Sequence, residues 1–326
     1  MKITGDRIHP EIRFIGKIKG AFLRVLFANE RLLRKIRTLS KKALIRKTSK
    51  MLKCEEVFID SKDGRKLRMC VYKPLHPEEN ATGLLWIHGG GYAVGAPEMD
   101  IGYMEKLIAA AHCVIVSPDY TLSTEKPYPA ALNDCYEALL WMKNNAGNLG
   151  IRGDQLFVGG LSAGGGLTIA VTLRARDEGE VNIAFQMPLY PMIDDRMDTA
   201  SAIDNNAPIW NAKSNRLAWR MYLGDFSGKD DVPKFAAPAR ETDYSRLPPA
   251  YTFVGDIEPF YDETLAYIDN LRDAGVTAKI DVYEGCYHAF ETMCPGADIS
   301  RMAVSKILEE FRFAVDNHFA AQGTEK

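Results

Sequence analysis

Gly160-Leu161-Ser162-Ala163-Gly164 is a GxSxG pentapeptide set between an apolar run, Gln155–Gly159, and a segment of helical spacing, Gly164–Arg176. Strand, sharp turn, helix is the context in which this pattern carries chemistry, because the five letters alone recur by chance. A serine on such a turn is held in a strained backbone with its hydroxyl turned outward. Glycines two before and two after it leave room that a Cβ would fill. The following helix points its free N–H groups and the positive end of its dipole at the same spot. A glycine-rich turn with an incidental serine has the same letters, so the reading depends on what else the chain brings to the site.

Outward from the pentapeptide, short apolar runs alternate with helical segments. Leu84–His88 is one such run. Cys113–Pro118 follows a helix over Met99–Ala111, and Gln155–Gly159 follows a helix over Ala130–Asn145. Phe185–Leu189, Tyr251–Val254 and Ala278–Tyr283 come later, with a helix over Tyr261–Ala274 between the last two and a final helix over Ile299–Phe319. Ahead of them, Val57–Asp60 and Arg65–Tyr72 around the turn Ser61–Gly64 read as a β-hairpin. This alternation predicts an α/β fold: a mostly parallel, eight-stranded sheet with helices on both faces. Residues 194–246 break the rhythm and carry Ile209, Trp210, Leu217, Trp219 and Tyr222, which predicts an inserted helical cap.

The chain has 326 residues, 46% hydrophobic and 26% charged, the composition of a globular domain with a core large enough to stand without disulfides. Its net charge of -2 hides an asymmetry. Residues 1–53 hold 16 Lys and Arg against 3 Asp and Glu, so a segment near +13 precedes a body near −15. The segment reads as amphipathic helices packed on the acidic body rather than as a nucleic-acid arm, with weak contact to an anionic membrane surface as the alternative. Arg13, Lys17, Lys19 and Arg24 interrupt its apolar residues, which argues against a secretory or spanning segment. Cys54, Cys70, Cys113, Cys135, Cys286 and Cys294 form no ligand spacing and no disulfide framework. The expectation is a cytoplasmic protein with no metal and no cofactor.

Two further segments supply what the serine needs. His88-Gly89-Gly90-Gly91-Tyr92 closes the run Leu84–Ile87. Consecutive glycines let a loop approach a substrate and aim its N–H groups at one point, as an oxyanion hole requires. The expected donors are the N–H groups of Gly90, Gly91 and Ala163, and the ring of His88 is expected to fix the loop. A phosphate loop is excluded by the absence of GK[ST] and GxGxxG here. Near the C-terminus, Gly285-Cys286-Tyr287-His288 follows the last apolar run and offers His288 as general base. Between them, Gly255-Asp256-Ile257-Glu258-Pro259 offers two carboxylates to orient the imidazole, Asp256 and Glu258. The order Ser, acid, His is the chain order of α/β-hydrolases.

These segments resemble the hormone-sensitive-lipase-like branch of α/β-hydrolases, over about residues 55–326. The resemblance rests on HGGGY (88–92), on Asp119-Tyr120-Thr121-Leu122 through Pro127-Tyr128-Pro129-Ala130, and on Ser162-Ala163-Gly164-Gly165. Tyr190-Pro191-Met192, Pro259-Phe260-Tyr261-Asp262-Glu263 and His288-Ala289-Phe290 add to it. It implies a serine carboxylesterase acting on short to medium acyl esters through a covalent acyl-enzyme. It implies Glu258 as the catalytic acid, since the family's carboxylate stands directly before the Pro of PxxDE. It implies a cap built from residues 1–53 and 194–246 over a core of residues 54–193 and 247–326, with Tyr92, Leu161, Trp210 and Phe290 facing the substrate. Leu161 and Thr121 depart from the family's usual acidic residue and arginine. An amidase or peptidase with the same triad and a non-catalytic small-molecule receptor are the alternatives. A small-molecule ester is the expected partner, and a homodimer is compatible with the sequence.

Overall fold

Among the described residues, eight segments pair into one sheet: β1 (Leu52–Asp60), β2 (Lys66–Pro74), β3 (Ala81–Ile87), β4 (Val114–Pro118), β5 (Ile151–Leu161), β6 (Phe185–Leu189), β7 (Ala250–Gly255) and β8 (Ala278–Tyr283). Their order is β1-β2-β4-β3-β5-β6-β7-β8. β2 runs antiparallel to β1 and to β4, and every other neighbouring pair is parallel. The helices are α1 (Pro10–Leu26), α2 (Glu30–Leu44), α3 (Ile101–Ala111), α4 (Ala130–Asn144), α5 (Ala146–Leu149), α6 (Ala163–Glu178), α7 (Ala212–Leu223), α8 (Tyr261–Asp273), α9 (Phe290–Met293) and α10 (Asp298–Asn317). The computed structural model describes residues 1–45 and 47–323. Arg46 and residues 324–326, which fall in the expected cap segment and catalytic core, lie outside the described residues.

Side chains alternate across a strand, and β3 shows it. Leu85 and Ile87 enter a core shared with α4 and α6, whereas Leu84 and Trp86 enter another shared with α3 and α10. Both faces of the sheet are therefore covered, and the central strands are buried along their length. The hairpin is longer than its apolar pattern suggests, pairing from Leu52↔Pro74 to Asp60↔Lys66. β1 is an edge strand with most side chains in water, so Lys53, Glu55 and Glu56 cost nothing there and mask the strand from a hydrophobicity reading.

The expected cap segments meet over the carboxyl ends of the strands. α1 rests Gly16 on the ring of Tyr287, where a Cβ would collide, and Gly20 closely on Pro208 and Ile209, where a Cβ would be tight. Phe27 meets Trp210 edge-on at 4.9 Å. α7 is capped by Asn211, whose side chain accepts from the N–H of Lys213 and of Ser214. The acidic residues of PFYDE fasten the insertion to the core. Glu263 accepts from the N–H of Ile193 at 2.8 Å, and Asp262 from the N–H of Ser201 at 2.7 Å. Among the described residues, no helix is long and apolar enough to cross a membrane.

Candidate active site

Ser162 sits between β5 and α6 with φ +58°, a backbone conformation that a non-glycine residue adopts only when its surroundings hold it there. Its N–H donates to Leu189 O at 2.9 Å, and its carbonyl accepts from Gly166 N and Met192 N. Space is the reason for the flanking glycines: a Cβ at Gly160 or Gly164 would run into the carbonyl oxygen of Ile87. The turn therefore packs directly on the end of β3, and this brings the serine against the glycine loop.

His288 lies on the loop after β8. Its Nε2 is 2.8 Å from Ser162 Oγ. Its Nδ1 meets Glu258 Oε2, and Glu258 Oε1 accepts the Gly255 N–H at 3.0 Å. Asp256 is placed elsewhere. Its Oδ1 accepts the Gly285 N–H at 2.7 Å, and its other oxygen faces Arg7. Burial pushes the half-buried Asp256 carboxyl above the usual range. The imidazole is boxed by Tyr190, Phe260 and Trp210, with ring centroids 4.8, 5.0 and 6.2 Å away. Ser162, His288 and Glu258 are all buried.

The glycine loop is buttressed from behind. His88 Nδ1 hydrogen-bonds Gly89 O at 2.7 Å, and its ring stacks on Tyr120 at 4.2 Å. Complete burial pushes the His88 imidazole down to about 4, so it is neutral at physiological pH. Tyr120 OH donates to His88 O, Ser123 N to Tyr92 O and Thr124 OH to Ala93 O. Gly90 and Gly91 take positive φ. Among the described residues, the N–H groups of Gly90, Gly91 and Ala163 have no carbonyl partner, so three donors stay free around the serine.

A cavity of about 470 Å³ opens on these groups. Leu161 and Trp210 line it with Ser162 and His288, joined by Leu23 from α1, Phe27 just past its end, and Ile209 from the insertion. Tyr92 and Phe290, expected to face the substrate, do not line it. Tyr92 turns into the interior, where its hydroxyl donates to Met192 O and its ring stacks on Tyr222 at 3.9 Å. Phe290 packs among Phe253 and Tyr283. Gly91, Tyr92 and Ala289 all take positive φ, so side-chain direction at these turns does not follow from position in the sequence.

Thr121 stands where the resemblance leads one to look for an arginine. Its N–H and hydroxyl both bond Asp134, at 2.7 and 2.6 Å, and Arg65 reaches in from the β1–β2 turn to pair with Asp134 at 2.8 Å. The hairpin thus brings a guanidinium to the same neighbourhood. Sequence reasoning missed Asp100 and Glu291, two buried carboxyls in the cavity lining. Among the described residues, no cluster of three or more His, Cys, Asp or Glu side chains is placed to hold a metal ion.

Residues 84–292 match a protein family described as alpha/beta hydrolase fold. The chain is 30% identical over 241 residues to the esterase LipI of Mycobacterium tuberculosis, a match covering 73% of this chain and 75% of that one. It is also 30% identical over 230 residues to an arylesterase of Saccharolobus solfataricus, covering 68% and 71%. Among solved structures, a bacterial heroin esterase superposes with a TM-score of 0.85 at 30% identity, over 96% of this chain and 99% of the other.

Proposed function

We propose that this protein, which belongs to the α/β-hydrolase fold family and hydrolyses carboxylic esters, does so through a covalent acyl-enzyme on Ser162. The observation that carries this reading is the contact line Ser162 Oγ, His288 Nε2, His288 Nδ1, Glu258 Oε2 at the base of an apolar cavity. His288 takes the Ser162 proton as Oγ attacks the ester carbonyl. The oxyanion is received by the N–H groups of Gly90, Gly91 and Ala163, fixed donors in a site largely screened from water. Glu258 holds the tautomer and offsets the charge of the imidazolium. His288 then protonates the leaving alcohol, and water activated by the same imidazole releases the acid.

Residues 1–53 and 194–246 act as the cap over a core of residues 54–193 and 247–326. The shared cavity wall of α1 and the insertion supports that division. A cavity of about 470 Å³ supports short to medium acyl chains, readable from a p-nitrophenyl ester series from acetate upward. The free cysteines, five of them buried, support a reducing, cytoplasmic setting. Ser162→Ala tests the mechanism: it abolishes both ester turnover and labelling by a fluorophosphonate probe. Turnover retained in that variant makes the assignment of the nucleophile wrong.

A further inference from the structure

We infer that the cavity selects esters carrying an ammonium group, held by the carboxylate of Glu291. This rests on the ester-hydrolase reading above and adds a substrate class to it. Glu291, three residues past His288, is 2% exposed and lines the cavity. Its Oε1 accepts from Tyr190 OH at 2.6 Å and faces Tyr103 OH at 3.3 Å. Its Oε2 is buried with no hydrogen-bond partner among the described residues. Asp100 lines the same cavity, and only the Trp86 indole N–H, at 3.0 Å, bonds its carboxylate among the described residues. Neither carboxylate belongs to an ion pair there. Lys106, also in the lining, lies 5.9 Å over the Tyr103 ring and pairs with neither.

An acidic oxygen left unpaired in an apolar enclosure is costly, and such groups are ordinarily paired, hydrogen-bonded or protonated. Burial pushes both carboxyls up to about 7, so each readily carries charge at pH 8. A ligand hydroxyl would supply a hydrogen bond to Oε2 but no countercharge. A protonated amine supplies both, and Trp210 in the cavity lining adds an aromatic ring suited to a cation with alkyl substituents.

Isosteric substrate pairs at pH 8 test the inference. One pair carries the charge on the alcohol side, 2-(dimethylamino)ethyl acetate against 3-methylbutyl acetate. The other carries it on the acyl side, ethyl 4-(dimethylamino)butanoate against ethyl 5-methylhexanoate. In one pair the wild-type enzyme favours the ammonium ester by about 10- to 100-fold in kcat/KM, the scale of one hydrogen bond to a charged group. Glu291→Gln brings that ratio close to one. No preference in either pair, or a preference that survives in Glu291→Gln, overturns the inference. Equal losses on both members of a pair also overturn it, because they mark Glu291 as serving the imidazolium alone. Turnover of p-nitrophenyl acetate separates these outcomes from failure of the hydrolase reading itself.

A different surface carries a second inference. On α1, Phe14, Ile18, Phe22 and Val25 follow i, i+4, i+8, i+11 spacing and are 74%, 57%, 68% and 65% exposed. The opposite side of the helix, Ile12, Gly16 and Gly20, is the buried one. Arg13, Lys17 and Arg24 flank the apolar row on one side and Lys19 on the other, at 100° per residue. None of these four forms an ion pair with a carboxylate among the described residues, and Arg13, Lys19 and Arg24 bond backbone carbonyls instead. We propose that this face docks on an anionic lipid surface. Pairing it with itself in a second copy would bring the like-charged flanks together, whereas lipid headgroups complement them.

Flotation with vesicles of phosphatidylglycerol and phosphatidylcholine tests this. The protein co-floats with the mixed vesicles at low salt, does so less at high salt, and does not float with pure phosphatidylcholine. Phe14→Glu/Phe22→Glu abolishes flotation while p-nitrophenyl acetate turnover shows the variant folded. No flotation with the mixed vesicles overturns the proposal. So does a dimer in sedimentation that the same substitutions dissociate, since the face is then a self-interface.

Discussion

The carboxylate of Asp256 accepts the backbone N–H of Gly285 at 2.7 Å, three residues before His288. Two acids on one loop are thereby given different tasks. Glu258 meets the imidazole itself, while Asp256 holds the turn that carries it, a turn also secured by the His9 N–H on Gly285 O at 2.8 Å. Glu258→Gln is expected to lower kcat by about 10³–10⁴, the scale of removing the anion behind a triad imidazole. Asp256→Asn keeps an acceptor for Gly285 and is expected to cost less than about tenfold, a loss typical of slight misplacement. Turnover of p-nitrophenyl butyrate by both variants measures this. A larger loss at Asp256 reverses the assignment.

Gly164→Ala places a methyl against the carbonyl oxygens of Ile87 and His88, which are backbone atoms and cannot swing away. Overpacking of this kind costs roughly 1–3 kcal/mol or more. Urea denaturation is expected to show that loss, together with a fall in kcat as Ser162 leaves its position. Unchanged stability would mean the turn has slack that the packing does not show.

Glu291 gives a pH signature. Its carboxyl is raised from 4.5 to about 7 by burial. Between those values the unfolded chain has released the proton and the folded chain keeps it. The group's contribution to stability is therefore full below about pH 4.5 and is lost as pH rises through about 7. Gln cannot titrate. Relative to Glu291→Gln, the wild-type protein is expected to lose about 3 kcal/mol of unfolding free energy between pH 4.5 and pH 8. Parallel urea titrations at those pH values check it, and a constant difference between the two proteins refutes the raised carboxyl.

Gly16→Val drives a branched side chain into the Tyr287 ring and is expected to lift α1 from its seat. Because α1 supplies Leu23 to the cavity and leads directly into Phe27, KM should rise several-fold more for long acyl esters than for acetate. Trypsin should also cut sooner after Lys17 and Lys19. Unaltered KM ratios and proteolysis would show that the helix tolerates the displacement.

The parts of this molecule legible in its sequence are those written in local chemistry. GxSxG between a strand and a helix, HGGG after a strand, and a histidine after the last strand each announce themselves, because a tight turn or free donors demand particular residues at fixed spacing. The two acids could not be ranked by local pattern, since either side chain two positions apart on one loop can face the imidazole. Only the resemblance favoured Glu258. Tyr92 and Phe290 misled because adjacency to a site residue says nothing of direction once the chain turns left-handed. Glu291 was illegible for another reason. It belongs to a one-turn helix with no period to read, and its environment is made by Tyr103 and Tyr190, 188 and 101 residues away.

Tyr287 OH donates to the carbonyl of Ile12 across 275 residues of chain. At a ribosomal rate of about 5–20 residues per second, roughly 14 to 55 s separate the synthesis of the two. The first long helix to leave the ribosome is thus among the last to find its seat, and meanwhile the side that carries Ile12 lacks its native cover. Its cationic flanks then have a second use, since nascent copies repel one another until the distal turn arrives to dock them.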